Sequence, residues 1–158
     1  MQRVFDSMYL KLRKEEIGKA RFRLKTIKMD SVLQNITKSC WKFNLPYEIY
    51  LKTKDCVVIK LLGLSESVLI KYHNRDLVSI SDINIFINEI DETSADRGIY
   101  ITTGRFKVRK KYISLLEKEK NIVLEDGTSF IIEQLGIQGR VEEALKENRL
   151  KFYKYFPN

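Results

Sequence analysis

A chain of 158 residues has room for one ordinary domain with a single sizeable core. Its residues are 44% apolar and 32% charged, which excludes a disordered chain, and 2 Pro with 7 Gly exclude a collagen-like or linker-rich one. Lys and Arg number 29 against 21 Asp and Glu, and the resulting +8 suits an acidic partner, nucleic acid above all. No apolar run approaches the roughly 20 residues of a membrane-spanning helix, so no membrane partner is expected. Cys40 and Cys56 are too few for a disulfide framework, and His73 has no Cys or His at ligand spacing, which argues against zinc. Asp6, Glu15 and Glu16 interrupt the basic N-terminal run, against a transit peptide. The expected location is intracellular, in cytoplasm or nucleus ahead of mitochondrion.

Residues 2–16 carry Val4, Phe5, Met8, Tyr9 and Leu12 at helical spacing. Residues 19–26 alternate as a strand would, with Lys19, Arg21, Arg23 and Lys25 on one side; Ile17, Ala20, Leu24 and Ile27 equally fit a helix. Both readings stand at this point. Residues 1–28 hold nine basic and three acidic residues, a net +6, so a basic N-terminal helical extension is expected over 1–29. Residues 30–41 read as a helix capped by Asp30 or Ser31. After Pro46 the period changes to two, giving strands at 47–51, 55–62 and 67–72.

A helix follows over 79–90, capped by Ser79 or Ser81, with Ile80, Ile83, Phe86, Ile87 and Ile90 inward. Residues 98–102 form a strand buried on both faces, and 105–120 a helix with apolar Phe106, Tyr112, Ile113, Leu115 and Leu116. Strand 121–124, a turn at Asp126-Gly127, helix 128–135 and a last helix over 140–153 complete the order. This sequence of elements predicts an α/β domain with one mixed sheet of about five strands flanked by helices: an antiparallel meander that passes into parallel units.

Charge gathers again at Arg105, Lys107, Arg109, Lys110 and Lys111, five cations in seven residues. Together with Arg21, Arg23 and Lys25 these are the expected nucleic-acid contacts. At the C-terminus Lys151, Phe152, Tyr153, Lys154, Tyr155 and Phe156 interleave charge with rings. Such a tail stacks on bases or docks its rings on the core; the cost of exposing four rings favours docking. There is no Gly-rich phosphate loop and no Ser-His-Asp arrangement.

Asp55, at the start of one strand, and Lys71, on the next, suggest a carboxylate that holds Mg²⁺ beside a lysine that meets a phosphate. Two further motifs bear on this pair. Thr102-Thr103-Gly104-Arg105-Phe106 ends a strand, and Ile122-Val123-Leu124-Glu125-Asp126-Gly127 follows after a helix. With Val68-Leu69-Ile70-Lys71 and Ser79 upstream, the chain resembles the catalytic domain of Mrr-type restriction endonucleases over residues 30–136. The resemblance implies a restriction-endonuclease-like fold and Mg²⁺- or Mn²⁺-dependent cleavage of DNA. Asp55 would match the family's metal ligand and Lys71 its catalytic lysine, with the C-terminal 137–158 packed on the domain. Leu69 stands where the family has Glu or Gln, which makes Glu48 the candidate second ligand and leaves a catalytically inactive DNA-binding or assembly subunit as the alternative. A homodimer or a larger complex is the expected assembly. Thr102 and Thr103 are expected to cap a helix that begins near Arg105 and receives a phosphate.

Overall fold

Pro46 is where helical spacing gives way to strand spacing, and the architecture divides there. The computed structural model describes residues 14–135, 145 and 149–158. Helices α1 (Lys14–Thr26) and α2 (Met29–Lys42) precede strands β1 (Tyr47–Lys52), β2 (Cys56–Leu62), β3 (Ser67–His73) and the short β4 (Leu77–Val78). Helix α3 (Ile80–Thr93), β5 (Arg97–Thr102), the short β6 (Arg105–Phe106), α4 (Lys110–Lys120), β7 (Ile122–Glu125) and α5 (Gly127–Leu135) follow, with a 3-10 turn at Tyr153–Tyr155.

The main sheet runs β1-β2-β3-β5-β7. Its first two pairings are antiparallel and its last two parallel. Strand period two then sorts the side chains. Val57, Ile59, Leu61, Val68, Ile70, Tyr72, Ile99 and Ile101 enter one core, shared with α1, α2 and α5. Cys56, Val58, Leu69 and Tyr100 enter a second, beneath Ile83, Phe86 and Ile90 of α3 and Leu116 of α4. A sheet buried on both faces explains why β2, β3 and β5 read as near-continuous apolar runs. β1 lies at one edge. A register shift between Ile49 and Leu51 breaks its ladder, and Ile49, Tyr50 and Leu51 are all exposed.

Residues 19–26 are helical. Ile17, Ala20 and Leu24 of α1 are buried, and the last two join the same core as Phe130 and Ile131 of α5. The basic segment is therefore packed into the fold from Lys14 onward; the helix expected over 2–16 otherwise lies outside the described residues. In α2 the capping position is Lys28, in extended conformation and without a side-chain bond, so neither Asp30 nor Ser31 serves as the cap. Ser79 does cap α3: its hydroxyl accepts from the Asp82 backbone N–H, and the Asp82 carboxylate accepts from that of Ser79.

Three further expectations are corrected. Ile80 is 50% exposed, because it lies in the first turn of α3, beyond the sheet. The helix expected from residue 105 starts at Lys110; Arg105 and Phe106 instead pair with Leu77 and Val78. Residues 149–152 are not helical, and the rest of the helix expected over 140–153 falls mainly outside the described residues. Phe152 and Tyr155 are buried against Phe130, with ring centroids 5.7 and 6.4 Å away, while Tyr153 points outward. No helix among the described residues is long and apolar enough to cross a membrane.

Thr102, Thr103 and Gly104 cap no helix. The Thr102 hydroxyl donates to the Arg75 carbonyl and the Thr103 hydroxyl to Asn74 Oδ1, both at 2.8 Å. The Gly127 N–H donates to the Gly104 carbonyl at 2.8 Å. A Cβ on Gly104 would stand 2.1 Å from the Asp76 oxygen, and one on Gly127 would stand 2.2 Å from that of Thr103. The Thr-Thr-Gly and Asp-Gly motifs are thus two halves of one backbone junction at the carboxyl ends of β3 and β5.

Candidate nucleic-acid interface

Lys71 lies opposite Val58 on β2 and Tyr100 on β5, facing the α3 layer. Its ammonium group is 2.6 Å from Glu89 Oε1, and both side chains are more than nine-tenths buried. The ammonium also sits 5.4 Å from the centroid of the Tyr100 ring. The Tyr100 hydroxyl is 2.7 Å from His73 Nδ1. Around this chain of polar groups the same face carries Cys56, Val58 and Leu69, none of which offers an oxygen ligand to a hard cation. Burial pushes the Cys56 thiol up to about 11, so it stays protonated at neutral pH.

Asp55 is elsewhere. It is exposed and lines a cleft of about 480 Å³ on the α1–α2 side, with Lys28, Asp30 and Lys52 among the walls. Its carbonyl accepts from the Asn74 N–H, which places Asp55 three residues beyond Lys71 along the ladder, roughly 10 Å at strand rise. Asp30, the other carboxylate of that cleft, is ion-paired with Lys52, which holds its carboxyl below the usual range. Glu48 lies opposite Lys60 on the exposed edge strand, two strands from Lys71 and offset from it by two residues, or roughly 7 Å, along the sheet. The structure therefore does not bring Asp55, Glu48 and Lys71 together. For Asp55 the physical reason is parity, since it is one residue out of phase with Cys56 while Lys71 shares a face with Cys56 and Val58; Glu48 shares that face and is kept apart by the width of β2. Among the described residues no three His, Cys, Asp or Glu side chains gather around a common point.

The cations divide in the same way. In helical α1, Arg21 and Lys25 share a face, and Arg23 is turned about 200° from Arg21. Lys25 is ion-paired to Asp76 at 2.6 Å. Sequence alternation that suggested one basic stripe is thus dispersed around a helix.

Residues 105–107 behave differently because their backbone is extended, up to a bend at Val108. β6 pairs in parallel with β4, the Lys107 N–H continues the ladder to the Val78 carbonyl at 2.8 Å, and Arg109 is extended as well. Arg105, Lys107 and Arg109 are exposed, while Phe106 and Val108 pack against the α3-side core. Lys110 and Lys111 open α4, which no side chain caps, so the positive end of its dipole adds to their charge. Among the described residues none of these five cations has a carboxylate within ion-pair distance.

Beneath the cations is a groove of about 850 Å³, floored by Leu77, Ile80, Phe106 and Tyr112. It lies past the carboxyl ends of the parallel strands β3 and β5, where open α/β sheets receive their ligands. Sequence reasoning found the cations and missed the floor. Leu77 had no assignment, Ile80 read as a core position of its helix, and Tyr112 read only as one of the apolar positions of a helix over 105–120. Glu89 and Tyr100 were also missed as partners of Lys71. No protein-family model matches the sequence, and no curated protein matches it.

Proposed function

We propose that this chain is a nucleic-acid-binding module on a restriction-endonuclease-like sheet, with its lysine at the former catalytic position serving the core instead. The observation that carries the binding half is the cluster Arg105, Lys107 and Arg109, unneutralised by any carboxylate among the described residues and continued by Lys110 and Lys111. Three to five phosphate contacts make such a surface strongly salt-dependent. The strand order, the Thr-Thr-Gly run and the Asp-Gly turn support the fold assignment. DNA is the nucleic acid that the resemblance favours.

The Mg²⁺-dependent endonuclease is the competing reading. It needs a free carboxylate close to Lys71; Glu89 is already committed to the ammonium group, and Glu48, on the same face, stands two strands away. The non-catalytic subunit therefore fits better. The deciding experiment measures binding to labelled DNA across a salt series and, separately, plasmid cleavage with Mg²⁺ or Mn²⁺. Salt-sensitive binding without cleavage is expected. Metal-dependent cutting that disappears in Lys71→Ala would replace this reading with the nuclease one, and no binding at about 50 mM salt would remove the nucleic-acid reading altogether.

A further inference from the structure

The groove under the cationic row is more than a charged surface, and its form narrows the ligand. This inference rests on the nucleic-acid reading above and names the strand state that the site takes. Arg105 and Lys107 are two residues apart on an extended backbone, so their side chains leave the same side about 6.6 Å apart, and Arg109 follows beyond a bend at Val108. That is a short run of charge along the rim of the groove, suited to one sugar-phosphate backbone. Beside it lie apolar surfaces: Leu77 is 38% and Ile80 50% exposed, and Tyr112, half-buried against the α3-side core, lines the same groove with the rest of its ring.

A duplex keeps its bases stacked inside and offers this surface only phosphates, sugars and groove edges. It would neutralise the cations and leave the apolar floor wet. A single strand presents both chemistries side by side, a charged backbone and free aromatic faces. The Phe106 ring already packs edge-on against Tyr100, with centroids 5.4 Å apart, which fixes the floor in place before any ligand arrives. Tyr112 stands in the first turn of α4, directly after the cationic row, where a base leaving the backbone track would meet it.

We infer that the groove between β4, β6 and the first turn of α4 is a single-strand nucleic-acid site, in which Arg105, Lys107 and Arg109 hold the backbone and the apolar floor with Tyr112 receives bases.

The test compares a fluorescein-labelled 16-nucleotide oligothymidine with a labelled 16-base-pair duplex, by anisotropy on the full chain at low salt. The single strand should bind at least about tenfold more tightly. Tyr112→Ala should weaken single-strand binding by about fivefold or more, as loss of one stacked base does, with duplex binding unchanged. Tyr112→Phe, which keeps the ring, should restore it and separates stacking from a folding defect. Equal or tighter duplex binding overturns the inference and leaves the nucleic-acid reading intact. Displacement of the strand by polyglutamate as readily as by unlabelled oligothymidine also overturns it, since charge alone would then suffice. Failure to bind either nucleic acid overturns both.

Discussion

Lys71 Nζ lies 2.6 Å from Glu89 Oε1, with both side chains more than nine-tenths buried between the sheet and α3. A residue that the sequence offered as catalytic is thereby tied to a helix that covers it. Removing either partner leaves an uncompensated charge in an apolar layer. Lys71→Met or Glu89→Leu alone should each lower the unfolding free energy by about 3–5 kcal/mol in urea titrations. The Lys71→Met/Glu89→Leu double variant should recover most of that loss, because apolar groups of similar volume replace buried pairs at little cost. Single and double variants of equal stability would show that the pair is not formed.

Leu69 sits on the same face of β3 as Lys71 and is fully buried. In the sequence this position is where a lost metal ligand would be restored. The structure predicts otherwise, since Leu69 lies between Lys60 and Gly98 in the α3-side core and Asp55 faces the other layer. Leu69→Glu should cost about 3 kcal/mol of stability and bring no gain in Mn²⁺ affinity by calorimetry. A clear gain in affinity would return the metal site to this face.

Much of this was legible and some was not, for identifiable reasons. The layers followed from period: two for β2, β3 and β5, and 3.6 for Ile83, Phe86 and Ile90. Glu89 was readable too, since it lies three residues after Phe86 on the buried stripe of α3. A carboxylate there calls for a buried cation, and Lys71 was the available one. Parity was the harder point. Asp55 and Lys71 lie on adjacent strands, but the register Cys56↔His73 and Val58↔Lys71 puts them out of phase, and no residue type announces a register. The first turn of α4 was misplaced because Phe106 and Val108 suit either period. Only the ladder to Leu77 and Val78 settles Phe106 as extended, and Val108 lies at a bend before α4.

His73 is the only histidine of the chain. Burial, then the charges of Lys71 and Arg75, hold its pKa below the ordinary value of 6.5. The folded state thus binds its proton less readily than the unfolded chain. Stability from this residue is complete above pH 6.5 and is lost as pH falls from there toward the folded pKa. Unfolding free energy should drop between pH 7.5 and 5.5, and His73→Gln should flatten that part of the profile. An unchanged slope in the variant would assign the drop to other groups.

Three glycines form a graded test of the junction between the two motifs. Gly104→Ala and Gly127→Ala each drive a Cβ into backbone oxygen, at 2.1 and 2.2 Å, and should destabilise by about 3 kcal/mol. Gly18→Ala, in α1 with nothing within 4 Å of the added Cβ, should stabilise by about 0.5–1 kcal/mol. Thermal melts of the three variants check the order.

Lys107→Ala should flatten the dependence of log affinity on log salt by about 0.9 for duplex DNA, one phosphate contact's worth. Lys25→Ala should change that slope less, because the ammonium is already paired with Asp76. Equal effects of the two substitutions would spread the interface over α1.

The irregular edge strand β1 bears on how copies of the chain can meet edge to edge. Ile49, Tyr50 and Leu51 form an apolar run on a strand with one unpaired side, the arrangement from which sheets grow end to end into aggregates. The register shift between Ile49 and Leu51 puts the backbone groups of that side out of step, so an incoming strand cannot zip along its full length. Glu48 and Lys52 add charge at either end. A variant that regularised β1 is expected to keep its fold and to aggregate more readily than the parent chain, which light scattering would show.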